Sequence, residues 1–152
     1  MKIEDKLRAM GHELPATPSP VANYVRAVRT GNLVFLAGHG PSRNGVFEFV
    51  GKVGKDLDVP TAYQAARLVM LNCLASLKAE IGDLDRVTRV VKLLGMVNAT
   101  PDFKQHPQVI NGASDLLTEL FGERGRHARS AVGMDSLPNQ ISVEIEMIVE
   151  VE

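Results

Sequence analysis

The chain has no tryptophan and a single cysteine, and aromatic residues make up only 5% of it. Each scarcity removes a class of function. A base-stacking platform for single-stranded nucleic acid needs aromatic faces that this composition does not supply. One thiol, Cys73, cannot close an internal disulfide, and a reducing compartment fits that count. Positive charge is not in surplus either: 17 Lys and Arg face 18 Asp and Glu, for a net charge of −1. A general electrostatic grip on nucleic acid or an anionic membrane needs clustered cations, so neither partner is expected. Long hydrophobic runs are also missing. Runs such as Leu68-Val69-Met70-Leu71 are far too short to span a bilayer. The opening Met1-Lys2-Ile3-Glu4-Asp5 contains no apolar signal region. These features predict a cytoplasmic protein with no membrane or nucleic-acid partner.

What is present is ordinary globular composition, with 45% apolar and 23% charged residues over a length of 152. That length suits one domain with a real core. Ile3, Leu7, Met10 and Leu14 recur at helical spacing and predict a short helix. Pro15, Pro18 and Pro20 then force an extended arm. The division this suggests is a helix and arm over residues 1–19 and a domain over 20–152.

Two strand-like runs, 24–29 and 33–37, flank a turn at Thr30-Gly31-Asn32 and read as a hairpin. Residues 46–53 form a weaker third strand. The strongest helical pattern covers 61–81, where Ala66, Val69, Met70, Cys73, Leu74, Leu77 and Ile81 make one apolar stripe. Asp58 or Thr61 could cap it, and Gly82 ends it. A β-branched strand over 87–97 follows, then a second helix over about 109–120 closed by Gly122. Strands over 128–134 and 141–151, joined by a Leu137-Pro138-Asn139 turn, complete the chain. Each long helix carries one apolar stripe, so the expected fold is α+β, with both helices on one face of a mixed sheet.

Alternation along the last strand places Val143, Ile145, Met147, Val149 and Val151 toward the helices and Glu144 away from them. Simple alternation in the preceding strand puts Ser130, Val132 and Met134 into the core. Arg129, Ala131 and Gly133 are then expected on the open face beside Glu144.

The segments Ala128-Arg129-Ser130-Ala131-Val132, Leu137-Pro138 and Val143-Glu144-Ile145-Glu146 resemble the C-terminal signature of the RidA/YjgF family. Asn23-Tyr24-Val25 through Leu36-Ala37-Gly38 resembles its N-terminal hairpin. The resemblance covers about residues 20–151, which would make this chain a longer variant with an extra N-terminal helix. It implies a chorismate-mutase-like fold and a homotrimer with ligand clefts between subunits. The implied activity is cofactor-free hydrolysis of small reactive 2-imino or 2-enamino acids to 2-oxo acids and ammonia. Under the same resemblance Arg129 grips a substrate carboxylate, Glu144 acts at the reacting end, and Tyr24 and Asn111 line the cleft. Gly38, His39 and Ala131 fall at cleft-wall positions. Ala37 and Ala131 stand where the family carries serine and cysteine, and His39 where it carries glutamine.

The residue chemistry agrees with those roles. A planar guanidinium gives a carboxylate two parallel charge-assisted hydrogen bonds. A carboxyl in a partly dry cleft can aim a water and shuttle its proton. The plainer alternatives are an Arg129–Glu144 ion pair across strands, a solvated Glu144, and Tyr24 as an amphipathic rim residue. Glu150 and Glu152 read as solvated. The four histidines show no ligand spacing, so no metal is expected. Cys73 sits on an apolar stripe and reads as a buried small hydrophobe. Gly38-His39-Gly40 is too short for a phosphate loop. Three functions follow: an imine deaminase, a non-catalytic binder of 2-oxo acids, and, disfavoured by charge and aromatic content, a ribonuclease.

Overall fold

The computed structural model describes residues 2–20 and 22–152. Helix α1 (Lys2–Ala9) opens the chain. Its first backbone N–H groups, of Lys2 and Ile3, donate to the carboxylate of Asp85 at 2.8 Å each. The helix is shorter than its apolar spacing predicts because Gly11, at φ 82°, turns the chain out of helical geometry. Ile3 and Leu7 are buried in the main core all the same, and Met10 and Leu14 pack against it.

Strands β1 (Ala27–Thr30) and β2 (Leu33–His39) form the expected hairpin around Gly31-Asn32. Residues 46–53 do not supply a third strand to that sheet. Val46 and Phe47 form β4 (Val46–Phe47), which folds back on β3 (Ser42–Arg43) as a separate small hairpin. Phe49 at φ 54° and Gly51 at φ 126° interrupt the extended run just beyond it.

Helix α2 (Val59–Ile81) starts two residues before the expected residue 61. Asp58 is the cap: its side chain accepts from the Thr61 N–H at 2.9 Å, and Pro60 sits in the first turn, where no N–H is missed. Such a cap contributes about 1 kcal/mol. Cys73 lies fully buried on this helix, and burial pushes its thiol pKa far up. The remaining elements are β5 (Val87–Asn98), α3 (His106–Phe121), β6 (Ala128–Met134) and β7 (Val143–Val151).

The main sheet has the order β1-β2-β7-β5-β6. Only β5 and β6 are parallel, joined through α3; the other pairs are antiparallel. Helices α2 and α3 pack on one another and on one sheet face, as the two apolar stripes predict. Val143, Ile145, Met147, Val149 and Val151 of β7 all point into that core. No helix among the described residues is long and apolar enough to cross a membrane.

Two strand faces depart from simple alternation. In β6 the parallel register sets Arg129 beside Leu93, Ala131 beside Gly95 and Gly133 beside Val97. Leu93 and Val97 are buried under the helices. Arg129, Ala131 and Gly133 therefore face α3, and Val132 faces outward at 38% exposure. The inner face is tight at Gly133, where a β-carbon would lie 2.6 Å from His106 Nε2. In β2 the register slips between Leu36 and His39, so two β7 residues span three positions of β2. This bulge returns His39 to the core face. The residue is 5% exposed.

Candidate functional site

Glu144 projects from β7 on the sheet face opposite the helices. The β2 bulge brings Gly38 directly beneath it. A β-carbon on Gly38 would lie 2.6 Å from Glu144 Oε2, so only a glycine leaves room for the carboxylate there. Burial raises the Glu144 carboxyl pKa above the ordinary range, and the neighbouring charge of Glu146 adds to the shift.

Glu144 opens into a cavity of about 460 Å³. Its walls come from residues 16–19 of the arm, Tyr24 and Arg26, the bulge at 37–40, the β3–β4 hairpin, and the turn before β7. Tyr24 is 45% exposed at this wall, in the bend that precedes β1. Arg26 donates through Nη1 to the Pro18 carbonyl, tying the arm to the cavity rim. The sequence reading missed both Arg26 and the arm as site elements. Arg26 follows Tyr24 by two within the run 24–29 that reads as a strand from sequence, and that period-two spacing is the signal that could have paired them.

His39 borders this cavity, but its ring turns away from it. Nδ1 lies 2.6 Å from the Ala37 carbonyl and Nε2 lies 2.8 Å from Ser76 Oγ on α2. A carbonyl only accepts, so Nδ1 carries the proton and Nε2 accepts from the serine hydroxyl. Burial lowers the His39 pKa, which keeps this neutral form. The imidazole is a core polar group and not a cleft ligand.

Arg129 is not in that cavity. It lies on the other side of the sheet and two strands away, with β5 between β6 and β7. A direct Arg129–Glu144 ion pair is therefore excluded, and so is the shared open face expected from alternation. Instead Arg129 reaches α3. Nη1 donates to Ser114 Oγ at 3.0 Å and Nη2 to the Pro107 carbonyl at 3.2 Å. Ser114 Oγ in turn lies 2.8 Å from His127 Nε2, and His127 Nδ1 lies 2.7 Å from the Gly125 carbonyl. Among the described residues no carboxylate lies within ion-pair distance of Arg129. Asn111 is half-buried and shares the α3 face of Pro107 and Ser114 by helical spacing. Ala131, two residues beyond Arg129, packs against the core instead of lining the Glu144 cavity. Ser114 and His127 were not singled out from sequence, although His127 lies two residues before Arg129 and Ser114 three after Asn111.

Among the described residues no three His, Cys, Asp or Glu side chains gather as a metal site. The open sheet face between the two clusters carries Val28, Phe35, Leu94, Ile148 and Val132. Val28 is 53% and Phe35 41% exposed, and a shallow cavity of about 410 Å³ lies over this face.

An α+β domain with this sheet order is of the chorismate-mutase-like class. The family model described as "YjgF/chorismate_mutase-like, putative endoribonuclease" matches residues 4–150. The chain belongs to this family, which includes the RidA proteins. A crystal structure of an Agrobacterium tumefaciens protein of unknown function superposes with a TM-score of 0.93 at 46% identity, covering 99% of this chain and 92% of that one. Protein TCP17 of Trypanosoma cruzi is 41% identical over 150 residues, 98% of this chain and 94% of its own. A protein of Dermatophagoides farinae named 2-iminobutanoate/2-iminopropanoate deaminase is 28% identical over 138 residues, 91% of this chain and 93% of its own.

Proposed function

We propose that the protein hydrolyses small 2-imino or 2-enamino acids to 2-oxo acids and ammonia, in clefts formed between the subunits of a homotrimer. The observation that carries this reading is the division of the two charged groups. Arg129 is a guanidinium anchored at a sheet edge with three of its five N–H donors left over and no carboxylate partner among the described residues. Glu144 is a carboxyl of raised pKa in a cavity elsewhere on the same chain. One chain alone cannot bring them to one substrate, whereas the edge of one subunit against the cavity of the next can. The apolar open face around Phe35 and Val132 is the surface such an assembly would bury.

In the reaction, Arg129 of one subunit holds the carboxylate of the imine. Water attacks the imine carbon, and Glu144 takes the water proton as the carbon–oxygen bond forms. The same carboxyl returns that proton to the nitrogen to give a carbinolamine. It then takes the hydroxyl proton and passes it to the nitrogen as the carbon–nitrogen bond breaks, so that ammonia leaves and the carbonyl of the 2-oxo acid forms. A raised pKa suits this shuttle, because it brings the acid and base forms of Glu144 closer to balance. To Tyr24, at the wall of the same cavity, we assign the ordering of that water through its hydroxyl. No cofactor is needed, since the imine is already the activated species.

The test is a coupled assay in which an amino-acid oxidase or a dehydratase makes the imine in situ. Accelerated release of ammonia and 2-oxo acid is the expected result. Tight 2-oxo acid binding without acceleration would favour the binding-protein reading, which Ala37 favours by offering no hydroxyl to the cavity. RNA cleavage without imine hydrolysis would favour an endoribonuclease activity.

A further inference from the structure

We propose that His127 is a positioning residue for Arg129, acting through Ser114, so that the carboxylate grip depends on an imidazole that never touches substrate. The inference rests on the reading of Arg129 as that grip.

The chain of hydrogen bonds has a direction. The Gly125 carbonyl only accepts, so His127 Nδ1 must carry a proton to bond it across 2.7 Å. In the neutral ring Nε2 is then a bare acceptor, and the Ser114 hydroxyl 2.8 Å away must donate to it. With its one proton committed, Ser114 Oγ offers only lone pairs to the Arg129 Nη1 donor at 3.0 Å. The Pro107 carbonyl takes a second N–H, from Nη2, at 3.2 Å. Both anchors sit on α3, one helical turn either side of Asn111 along the same face. The guanidinium plane is thus fixed at two points before any ligand arrives, which lowers the side-chain entropy lost on binding.

Protonation of His127 reverses the middle link. Nε2–H would donate to Ser114 Oγ, freeing the serine proton to turn toward Arg129. A second cation would also face the guanidinium. Burial and the Arg129 charge both hold the His127 pKa below its ordinary value, so the neutral arrangement prevails at neutral pH, with the Gly125 carbonyl opposing the shift. Arg129 on β6 is the charged group acting on this ring; α3 contributes Ser114, and the turn after α3 contributes the Gly125 carbonyl.

A merely structural Ser114–His127 pair would stitch β6 to α3 and affect stability alone. The two roles separate in the full-length protein and the variants Ser114→Ala, Ser114→Thr, His127→Phe and His127→Gln. Phenylalanine keeps the ring and loses the acceptor, whereas a glutamine carbonyl can accept where Nε2 did. Rotation of the Arg129 guanidinium is read by nitrogen NMR, assigned through Arg129→Lys, beside KM and kcat for an imine made in situ between pH 5.5 and 8. Ser114→Ala and His127→Phe are expected to free that rotation and raise KM about tenfold while kcat changes by less than about twofold, the scale of one lost hydrogen bond to a charged group. Ser114→Thr and His127→Gln should stay near wild type at neutral pH; wild-type KM should rise on the acid side as His127 protonates, and His127→Gln should lose that rise. Unchanged guanidinium rotation and KM in folded Ser114→Ala and His127→Phe would overturn the proposal even with imine hydrolysis intact. If the wild type hydrolyses no imine, the proposed function fails while Arg129 rotation still decides the relay: freed by His127→Phe it upholds the positioning role, and unchanged it overturns it.

Discussion

Gly38 and Glu144 share one space: the position a β-carbon would occupy on Gly38 lies 2.6 Å from Glu144 Oε2, 3.0 Å from its Cδ and 3.3 Å from its Cγ. The glycine backbone is not in the left-handed region, so its smallness and not its flexibility is what the site uses. Gly38→Ala should therefore displace the carboxyl end of a mobile side chain at little structural cost. We expect a change in stability below about 1 kcal/mol and a fall in imine hydrolysis of about a hundredfold. Urea unfolding beside the coupled ammonia assay measures both. A variant with wild-type activity would show that the Glu144 position does not matter.

Arg129→Ala should abolish 2-oxo acid binding and activity together, with turnover efficiency falling about a hundredfold or more. Arg129→Lys should recover little, because an ammonium cannot hold Ser114 and Pro107 while presenting a fork to a carboxylate. Calorimetric titration with a 2-oxo acid is the direct measurement. Full affinity in folded Arg129→Ala would remove this residue from the site.

Glu144→Gln keeps shape and loses the proton shuttle, so the oxo acid should still bind while hydrolysis slows. The same variant reports on pH. A carboxyl whose folded pKa is raised favours the folded state below its unfolded pKa, and this contribution is lost as pH rises through the folded value. Glu144→Gln removes that loss. The difference in melting temperature between Glu144→Gln and wild type should grow in favour of the variant from pH 4 to pH 8. A difference that is flat with pH would mean that the carboxyl is not desolvated.

His39 behaves in the opposite sense. Its folded pKa is lowered from 6.5, so its contribution to stability is present above that value and lost as pH falls through the folded pKa. Ser76→Ala leaves Nε2 buried without a donor and should cost about 1–3 kcal/mol at neutral pH. Urea titrations at pH 7.5 and 5.5 test both statements. A wild-type stability that rises on acidification through this window would contradict the buried neutral ring.

Phe35→Asp places a charge on the open sheet face without touching the core, since Phe35 points away from its buried neighbours Val34 and Leu36. Sedimentation should report a single chain in place of the proposed trimer, with circular dichroism unchanged and activity lost. An active, folded monomer would remove the need for a composite cleft.

Much of this architecture follows from local pattern. The apolar stripe from Ala66 to Ile81 dictates α2, and the alternation from Val143 to Val151 dictates which face of β7 is buried. The capping chemistry of Asp58 and the Gly31-Asn32 turn are equally local, as are the residues that carry the family resemblance. What sequence could not decide was the face taken by Gly38, His39 and Arg129. One extra residue in β2 turned His39 from the expected cleft into the core and brought Gly38 under Glu144. The parallel pairing of β6 beside β5 turned Arg129 toward α3, against the hydrophobicity of Val132. Periodicity carries the phase of a strand only while its register is unbroken and its inner face is the apolar one. A bulge or an edge position resets that phase through contacts with residues distant in the chain, and only the tertiary structure contains those contacts.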